Sequence, residues 1–452
     1  NKPELLAHHY TEAGNIEQAI PMWLKAGQLA YMRSANKEAI VDYSKGLELL
    51  NRLPKSPESM QQELALHMHL GLSYIATLGY TNPEVEISFS RAREICEQFG
   101  EVPQLFPVLW GLWAFYIVRR DFDMAFQLGD EMLRLAEQTN DADLLLEAHT
   151  AHGLNFLYSR GDFKTSRSHF ETAYSYYSPE NHKAHVAVYV QDAGIVSLAH
   201  LSWLQWLLGE VDEALETKNK AVLLAEELGH PYSLSYALTW AAVLHQFRLE
   251  TQAAVRYGDR VLALAMENIF PNWIADGDMV RGWAMAGLGE TDAGIEQLKR
   301  GLATWHAIGA RLWQTHATGL LVDVLLQSDQ IEEGLTTVNE ALKTVAETNE
   351  TYYEAELLRL KGELLLKQEP ADRKMAESCF IKARQIAEKQ NAVLFELRAT
   401  VSLVRLGQKQ GQADNARTEI QNVLHRIVRG ETTGDIQTAQ NLLNDFEEKT
   451  VA

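Results

Sequence analysis

The sequence predicts an all-α solenoid of about ten helix hairpins, with a period near 40 residues, wound into a right-handed superhelix. Two observations carry this prediction. A small residue recurs about every 40 positions, usually five places after a helix-breaking turn, and Gly or Asn recurs where the second helices end. Because self-similarity at this period is typical of stacked repeats, each unit is expected to bury its apolar face only against its neighbours.

The small residue occupies a slot early in the second helix of each hairpin. Ten of eleven slots hold Ala, Gly or Ser, and from position 85 onward the steps are 39 to 42 residues, apart from one step of 48. Paired backbones approach closely only where a side chain is nearly absent, so each slot is expected to face the partner helix of its own hairpin. The slots are Ala19, Ala39, Val85 (the one misfit), Ala125, Ser166, Ala214, Ala253, Gly294, Gly334, Ala376 and Ala416.

A second series of turns closes the second helices. Gly and Asn dominate it because a helix commonly ends on a residue in the left-handed conformation, which these two tolerate best. The closing residues are Gly100, Asn140, Gly229, Ile269, Gly309, Asn349 and Asn391.

Two stretches depart from the period. The slots at 19 and 39 are only 20 apart, so we expect an irregular helical segment at 1–53, a linker at 51–59, a repeat array at 60–430, and a capping helix with tail at 431–452. The step of 48 places an insertion around 178–182, which is either a contact site or a longer loop tolerated at little entropic cost. The chain begins at Asn1 and not Met, and we interpret it as a piece of a longer protein.

Composition excludes several classes of partner. The net charge is −20, from 61 acidic and 41 basic residues, so nucleic acid and anionic membranes are not expected to bind. The longest apolar run, 108–118, is shorter than the ~18 residues that a membrane span needs. Two widely separated cysteines, Cys96 and Cys379, favour a reducing, cytoplasmic location.

Catalytic and metal-binding patterns are absent from the sequence. It contains no phosphate-binding loop, nucleophile elbow or Cys-x-x-Cys pair, and we therefore predict no enzyme activity and no cofactor. His149 and His152 share a helix face, as do His182 and His185, but no nearby Cys or acidic residue completes a set of three or four zinc ligands.

The strongest candidate site comes from repeat register. Positions 8, 11, 14 and 18 before the slots are expected to line the concave groove, where aromatic side chains supply contact area and polar ones supply selection. The alternative is that Trp203, Trp206 and Trp283 only fill gaps between long helices. The predicted groove residues are His152, Asn155, Tyr158, His200, Trp203, Trp206, His245, Asp276, Trp283, His316 and Asp323.

The small slots and hairpins at roughly 60–430 resemble the tetratricopeptide repeat, with helices lengthened from its usual period. A narrower resemblance lies in Pro3-Glu-Leu-Leu-Ala-His-His-Tyr-Thr-Glu-Ala-Gly14, in Pro103-Gln-Leu-Phe-Pro-Val-Leu-Trp-Gly-Leu-Trp113 and in Tyr353-Glu-Ala-Glu-Leu-Leu-Arg-Leu-Lys-Gly-Glu-Leu-Leu365. These phrases are similar to the C-terminal region of bacterial signalling proteins that carry a class III adenylate or guanylate cyclase and a STAND ATPase. The resemblance implies a region that senses or docks something and restrains the ATPase.

Three functional readings follow. The leading one is a non-catalytic sensor or docking region that binds a protein, a peptide or a small effector and regulates attached ATPase or cyclase domains. The second is a scaffold for oligomerisation, and an enzyme with a novel site is the third. A related architecture is the ATP-dependent LuxR-type transcription activator, although no DNA-binding helix-turn-helix is evident after Gly430.

Overall fold

The computed structural model describes residues 2–100, 103–410, 416–428 and 433–451. These residues form 23 α-helices, one π-helical turn at Phe156–Arg160, one 3₁₀ turn at Pro179–Asn181 and no β-strand, which confirms the all-α prediction. The first helices are α1 (Pro3–Glu12), α2 (Ile16–Met32), α3 (Asn36–Leu50), α4 (Pro57–Leu78), α5 (Pro83–Phe99), α6 (Leu105–Val118), α7 (Phe122–Thr139), α8 (Ala142–Asn155), α9 (Phe163–Ser175), α10 (His182–Tyr189), α11 (Ala193–Leu207) and α12 (Val211–Leu228). They are followed by α13 (Pro231–Phe247), α14 (Thr251–Asn268), α15 (Pro271–Gly287), α16 (Thr291–Ala307), α17 (Gln314–Gln327), α18 (Ile331–Thr348), α19 (Glu354–Lys367), α20 (Arg373–Gln390), α21 (Val393–Gln410), α22 (Ala416–Leu424) and α23 (Gly434–Val451).

Consecutive helices pair as hairpins, as predicted. The ten pairs are α2/α3, α4/α5, α6/α7, α8/α9, α11/α12, α13/α14, α15/α16, α17/α18, α19/α20 and α21/α22. Outside the hairpins lie α1 and α23 at the two ends of the described chain, and α10 between the hairpins α8/α9 and α11/α12. The predicted turn at 411–415 lies outside the described residues.

Both series of turns are built on left-handed residues. Gly209 (φ 93°) and Asp329 (φ 57°) stand five positions before the slots Ala214 and Gly334. All seven residues predicted to close the second helices also have positive φ. These turns tolerate residues other than Gly and Asn, since Ile269 adopts φ 57°.

One slot was predicted one residue too early. In α14 the left-handed residue is Leu249 (φ 61°), and the fully buried position five places later is Ala254, whereas Ala253 is half-buried. With Ala254 as the slot, the steps from Ala214 to Gly294 become two equal steps of 40 residues.

At Gly294 and Ser166 the slot faces the partner helix of the same hairpin, as predicted. A methyl group added to Gly294 of α16 would lie 2.5 Å from the carbonyl oxygen of Gly282 in α15. In the hairpin α8/α9, the Ser166 hydroxyl donates a hydrogen bond of 2.7 Å to the carbonyl oxygen of Gly153. Close backbone approach is therefore the physical reason for the small residue.

Successive turns of the superhelix also touch each other along a line that we call the seam. The amides of Arg311 and Leu312 both donate to the carbonyl oxygen of Val118 at 2.9 Å. Arg120 pairs with Glu350 at 3.3 Å, and the Val428 amide donates to Gly209 at 2.9 Å. The expectation that each repeat packs only against its neighbours is therefore wrong. Late repeats cover the inner face of early ones.

The insertion around 178–182 forms a turn that leads into the short helix α10, which packs against the protein with one buried face. Its Val186 carbonyl accepts a hydrogen bond from Tyr31 at 3.3 Å, and its Tyr189 ring lies 5.5 Å from Trp110. His185 is buried between Glu147 and Asp143, both at 3.2 Å. Burial acts to lower the His185 pKa, but the two carboxylates outweigh burial and raise it to about 9. The insertion is therefore an internal contact.

The two end segments continue the packing of the array. Trp23 and Tyr43 from the 1–53 segment share one apolar cluster with Leu66 and Leu70 of α4. The expected linker is reduced to the short connection 51–56. The predicted C-terminal helix is present as α23.

Candidate ligand site

The structure places the predicted groove residues inside the protein. Trp203 and Trp206 are 0% exposed, and Asp276 and Trp283 are 3% exposed, so the expectation that these side chains are partly exposed in the groove is wrong. Of the eleven predicted residues only Asp323 is half-buried, and the other ten are buried.

Aromatic side chains from late repeats fill the inner face at these positions. Tyr158 and Trp203 both contact the Tyr352 ring, with centroids 5.2 and 5.8 Å away. The Trp206 ring lies 6.1 Å from Phe395. These partners come from the residues before α19 and from α21, so the second turn of the superhelix excludes water from the inner face of the first.

Three of the predicted polar residues are satisfied within the core. The Asn155 amide accepts from the Trp113 indole and donates to the Ala125 carbonyl, both at 3.0 Å. His316 accepts from Trp313 at 3.1 Å through Nδ1, so Nε2–H donates to the Gln246 side chain at 2.9 Å. His200 bonds the Val196 carbonyl at 3.1 Å. Burial lowers the pKa of His200 and of His316 to about 3.

His245 does not belong to the inner face. The correction of the slot to Ala254 makes Gln246 the residue eight positions before it. His245 instead pairs with Glu250 at 2.5 Å and stacks on Tyr257 of α14 at 5.2 Å.

His152 lies in a cluster with two other histidines. The His169 ring is 5.2 Å from both His149 and His152, and burial is the largest cause that lowers the pKa of all three. Among the described residues no group of three or more His, Cys, Asp or Glu side chains has a geometry suited to a metal ion.

Asp323 lines a polar cavity of about 220 Å³, and Trp283 contacts that cavity only through its bond to Asp323. The Trp283 indole donates to Asp323 at 2.8 Å, and Asp323 lines the cavity together with Arg398 and Glu356. Arg398 is paired with Glu356 at 3.2 Å and with Asp435 at 2.9 Å. Because Arg398, Glu356 and Asp435 pair with one another, we interpret the charged groups of this cavity as a structural ion network.

A second cavity, of about 80 Å³, is lined mostly by aromatic and aliphatic side chains and is referred to below as the aromatic cavity. It lies where the first hairpins meet the seam, and its only lining residue that is not buried is Leu312. Its walls are Tyr80, Trp110, Trp113, Ala114, Ile117, Val118, Leu154, Tyr158, Gln191, Tyr236, Trp240, Asn272, Trp273, Asp276, Trp305, Leu312 and Trp313. Two predicted groove residues, Tyr158 and Asp276, therefore meet here.

Asp276 is the one acidic residue in the wall of this cavity. Its Oδ1 is buried and has no hydrogen-bond partner among the described residues. Burial raises the pKa of its carboxyl well above the ordinary value, and no charged group offsets that effect. Asp278, two residues along the same helix and equally buried, instead pairs with Arg300 at 2.7 Å.

Other polar atoms at the aromatic cavity are also unpartnered. The Asn272 Oδ1 and the indole nitrogens of Trp240 and Trp273 are buried without hydrogen bonds in the described structure. A buried polar group without a partner costs about 1–3 kcal/mol. Such groups are therefore common where a ligand completes the hydrogen bonding.

Sequence reasoning missed most of this cavity. Trp240 lies 14 positions before Ala254, the same offset that yielded His152 and His200, so a correct slot would have found it. Trp273 and Trp313 share an offset of 21 before their slots. No sequence pattern indicated Tyr80 or Gln191, because these residues reach the cavity through the contacts of the seam and of the inserted α10.

Among the described helices, none is both long and apolar enough to cross a lipid bilayer. No family model matches the chain. A curated relative, an uncharacterized protein of Rhizobium meliloti (strain 1021), is 24% identical over 407 residues. The match covers 89% of this chain but only 39% of the relative, so this chain spans about two fifths of the relative's length.

Solved structures share the fold at low sequence identity. The crystal structure of a Rap protein complexed with Competence and Sporulation Factor matches with a TM-score of 0.57 and 12% identity, over 82% of this chain and 98% of that one. The Cut9–Hcn1 hetero-tetramer of the APC/C matches with a TM-score of 0.50 and 14% identity, over 95% of this chain and 76% of that one. The chain therefore has the tetratricopeptide-like helical-repeat fold that its small slots predicted.

Proposed function

We propose that this chain is a non-catalytic sensor and docking region that binds a protein or peptide at the aromatic cavity and regulates domains attached to it. The observation that carries the proposal is the aromatic cavity, where an unpartnered carboxylate lies among tryptophan rings. Buried aromatic side chains with a few convergent polar groups are the usual material of a binding hot spot.

Two comparisons support the proposal. The Rap structure with the same fold was solved in complex with Competence and Sporulation Factor, and repeat solenoids commonly bind partners on the inner surface. The match to only 39% of a longer relative is consistent with attached domains, and the sequence resemblance implies that these would be a STAND ATPase and a nucleotide cyclase.

Binding can be tested with a random-peptide display library selected on the purified chain. Each selected peptide is then titrated while tryptophan fluorescence is recorded, because six tryptophans line the aromatic cavity. Ala114→Leu, which extends a cavity wall into the empty space, is expected to abolish binding, whereas Asp259→Asn on the outer helix α14 is the matched control. Peptides that bind Ala114→Leu as tightly as the wild type would contradict the proposal.

Regulation requires a separate experiment on the longer gene product. The rates of nucleoside triphosphate hydrolysis and cyclisation are measured with and without a peptide that passes the test above. We expect the peptide to change at least one rate and Ala114→Leu to remove that change. The proposal that this chain regulates attached domains would be refuted if the longer protein has neither activity, or if the peptide changes neither rate.

A further inference from the structure

We infer that the aromatic cavity binds the primary ammonium group of an aliphatic amine, held by the carboxylate of Asp276 and enclosed by tryptophan and tyrosine rings. The inference rests on the proposed function, because it names the chemistry that the same site recognises.

The two unpartnered oxygens require a ligand that donates hydrogen bonds, whereas the unpartnered indole N–H groups of Trp240 and Trp273 are donors that an ammonium group leaves as they are. Asp276 Oδ1 and Asn272 Oδ1 are acceptors, and both are buried without a donor among the described residues. An ammonium group carries three N–H donors and no acceptor. The ionised form of Asp276 would repel an anion, and an apolar group would leave both oxygens unsatisfied.

The walls suit a cation for an independent reason. The negative face of an aromatic ring attracts a cation within about 6 Å, most strongly for Trp and then Tyr. Trp240, Trp273 and Trp313 line the cavity with Tyr236, and the Tyr236 and Trp273 rings meet edge to face at 5.2 Å. No Lys or Arg lines the cavity, so no side chain of the wall already supplies the positive charge.

The volume limits the ligand to a small group. Drug-sized ligands occupy pockets of roughly 300–1,000 Å³, whereas this cavity is about 80 Å³. It therefore accepts one head group with a short aliphatic stem, and the rest of the ligand must remain outside. A lysine side chain of a peptide and a free alkylamine both satisfy this requirement.

Binding of a cation must be coupled to ionisation of Asp276. Burial raises the carboxyl pKa well above its ordinary value, so a cation that pairs with the carboxylate displaces a proton. The titratable groups around it are tyrosines whose pKa values burial raises, with the neutral His200 behind Tyr236; they are Tyr80, Tyr158, Tyr232 and Tyr236. The tyrosines and His200 keep their charge state between pH 6 and 8. Affinity for an amine should therefore rise as the pH rises towards the raised pKa of Asp276.

The test titrates the whole chain with n-butylammonium chloride, with tetramethylammonium chloride and with 1-butanol, and records tryptophan fluorescence and thermal shift. We expect n-butylammonium to bind, tetramethylammonium to bind more weakly because it has no N–H donor, and 1-butanol not to bind. N-acetyl-lysine methylamide then represents a lysine side chain. Tighter binding of this probe than of n-butylammonium favours a peptide source, and the reverse favours a free amine.

The decisive variant is Asp276→Asn, which keeps the shape and removes the charge. Affinity for n-butylammonium should fall about tenfold or more, and the remaining affinity should lose its pH dependence. The variant should fold, because its carboxylate has no partner to lose. Asp278→Asn is the contrasting variant, since it breaks the pair with Arg300 and should lower the thermal midpoint while the fluorescence titration still reports a bound amine.

The outcomes separate the two proposals. Equal binding of n-butylammonium and 1-butanol, or affinity unchanged in Asp276→Asn, would overturn the inference. If the amines do not bind, but a selected peptide binds the wild type and not Ala114→Leu, the inference about an ammonium group is refuted and the proposed function is supported. If Ala114→Leu reduces neither amine binding nor peptide binding, both proposals are refuted.

Discussion

The close approach of the hairpin helices can be measured with two substitutions at the same repeat position. Gly294 and Gly334 are each the fourth residue of a second helix, α16 and α18. A methyl group on Gly294 would lie 2.5 Å from the Gly282 carbonyl oxygen and 2.8 Å from the Ala286 amide nitrogen. On Gly334 it would lie 2.8 Å from the end of the flexible Leu364 side chain in α19 and in ordinary contact, at 3.6 Å, with the Cβ of Leu325.

Two effects compete in each variant. Replacing Gly by Ala inside a helix stabilises by about 0.5–1 kcal/mol, and this term is the same at both positions. Overpacking against atoms that cannot move costs about 1–3 kcal/mol. Gly294→Ala forces two backbones apart, whereas Gly334→Ala only requires Leu364 to change rotamer. We therefore expect Gly294→Ala to be the less stable of the two by about 1–3 kcal/mol, and Gly334→Ala to be close to the wild type or slightly more stable.

The assay is urea unfolding at fixed pH and salt, followed by far-UV circular dichroism and tryptophan fluorescence. Coincidence of the two transitions tests whether a single free energy of unfolding describes the array, because long repeat arrays lose cooperativity. If the transitions separate, hydrogen exchange in α15 and α16 supplies the local free energy. Equal stability of the two variants would refute the backbone contact between these helices.

Four further predictions concern packing, the seam and pH. Ala254→Leu should lower the free energy of unfolding by about 1–3 kcal/mol through overpacking, whereas Ala253→Leu should stay within about 0.5 kcal/mol of the wild type. If urea unfolding shows Ala253→Leu to be the less stable variant, Ala253 is the slot. Trp203→Ala should cost about 3–5 kcal/mol, and an unchanged melting temperature would mean that this ring is not in the core. Glu350→Ala leaves its partner Arg120 unpaired at the seam and should lower the free energy of unfolding by roughly 3–5 kcal/mol. If solution scattering gives an unchanged radius of gyration and urea unfolding gives an unchanged stability, the seam is contradicted. His200 is neutral in the folded protein because burial lowers its pKa to about 3. In the unfolded chain the same imidazole takes up a proton below about pH 6.5. The free energy of unfolding should therefore fall as pH falls through that value, and this residue should account for roughly 2 kcal/mol at pH 5. A pH profile of unfolding that is as steep in His200→Gln as in the wild type would remove His200 as the cause.

The repeat register was predictable from the sequence because it is encoded locally. A left-handed residue ends the first helix, and a small residue five positions later lets the two helices approach. Where the turn residue was Gly, as at Gly209, the slot was found without error. Where it was Leu249, the signal was weaker, and the slot was placed one residue early. That slip produced the misplacement of His245.

The candidate site was only partly predictable. Register located Tyr158 and Asp276 on the inner face, and it would have located Trp240 with the correct slot. It did not indicate that Asp276 lacks a partner while Asp278 pairs with Arg300. Partners of that kind come from neighbouring helices, and their side-chain positions are decided by packing.

The sequence by itself determined the helices, their pairing and the residues that face inward, since each depends on contacts within one repeat or between adjacent repeats. Only the tertiary structure decided that the inner face is closed. Thr81 bonds the carbonyl of Ile308 across 227 positions, and Arg120 reaches Glu350 across 230. These contacts depend on the small rotation between repeats, summed over about five or six of them. No single repeat encodes that sum, and so a groove expected to be open is filled by the next turn of the same superhelix, apart from the aromatic cavity beside Asp276.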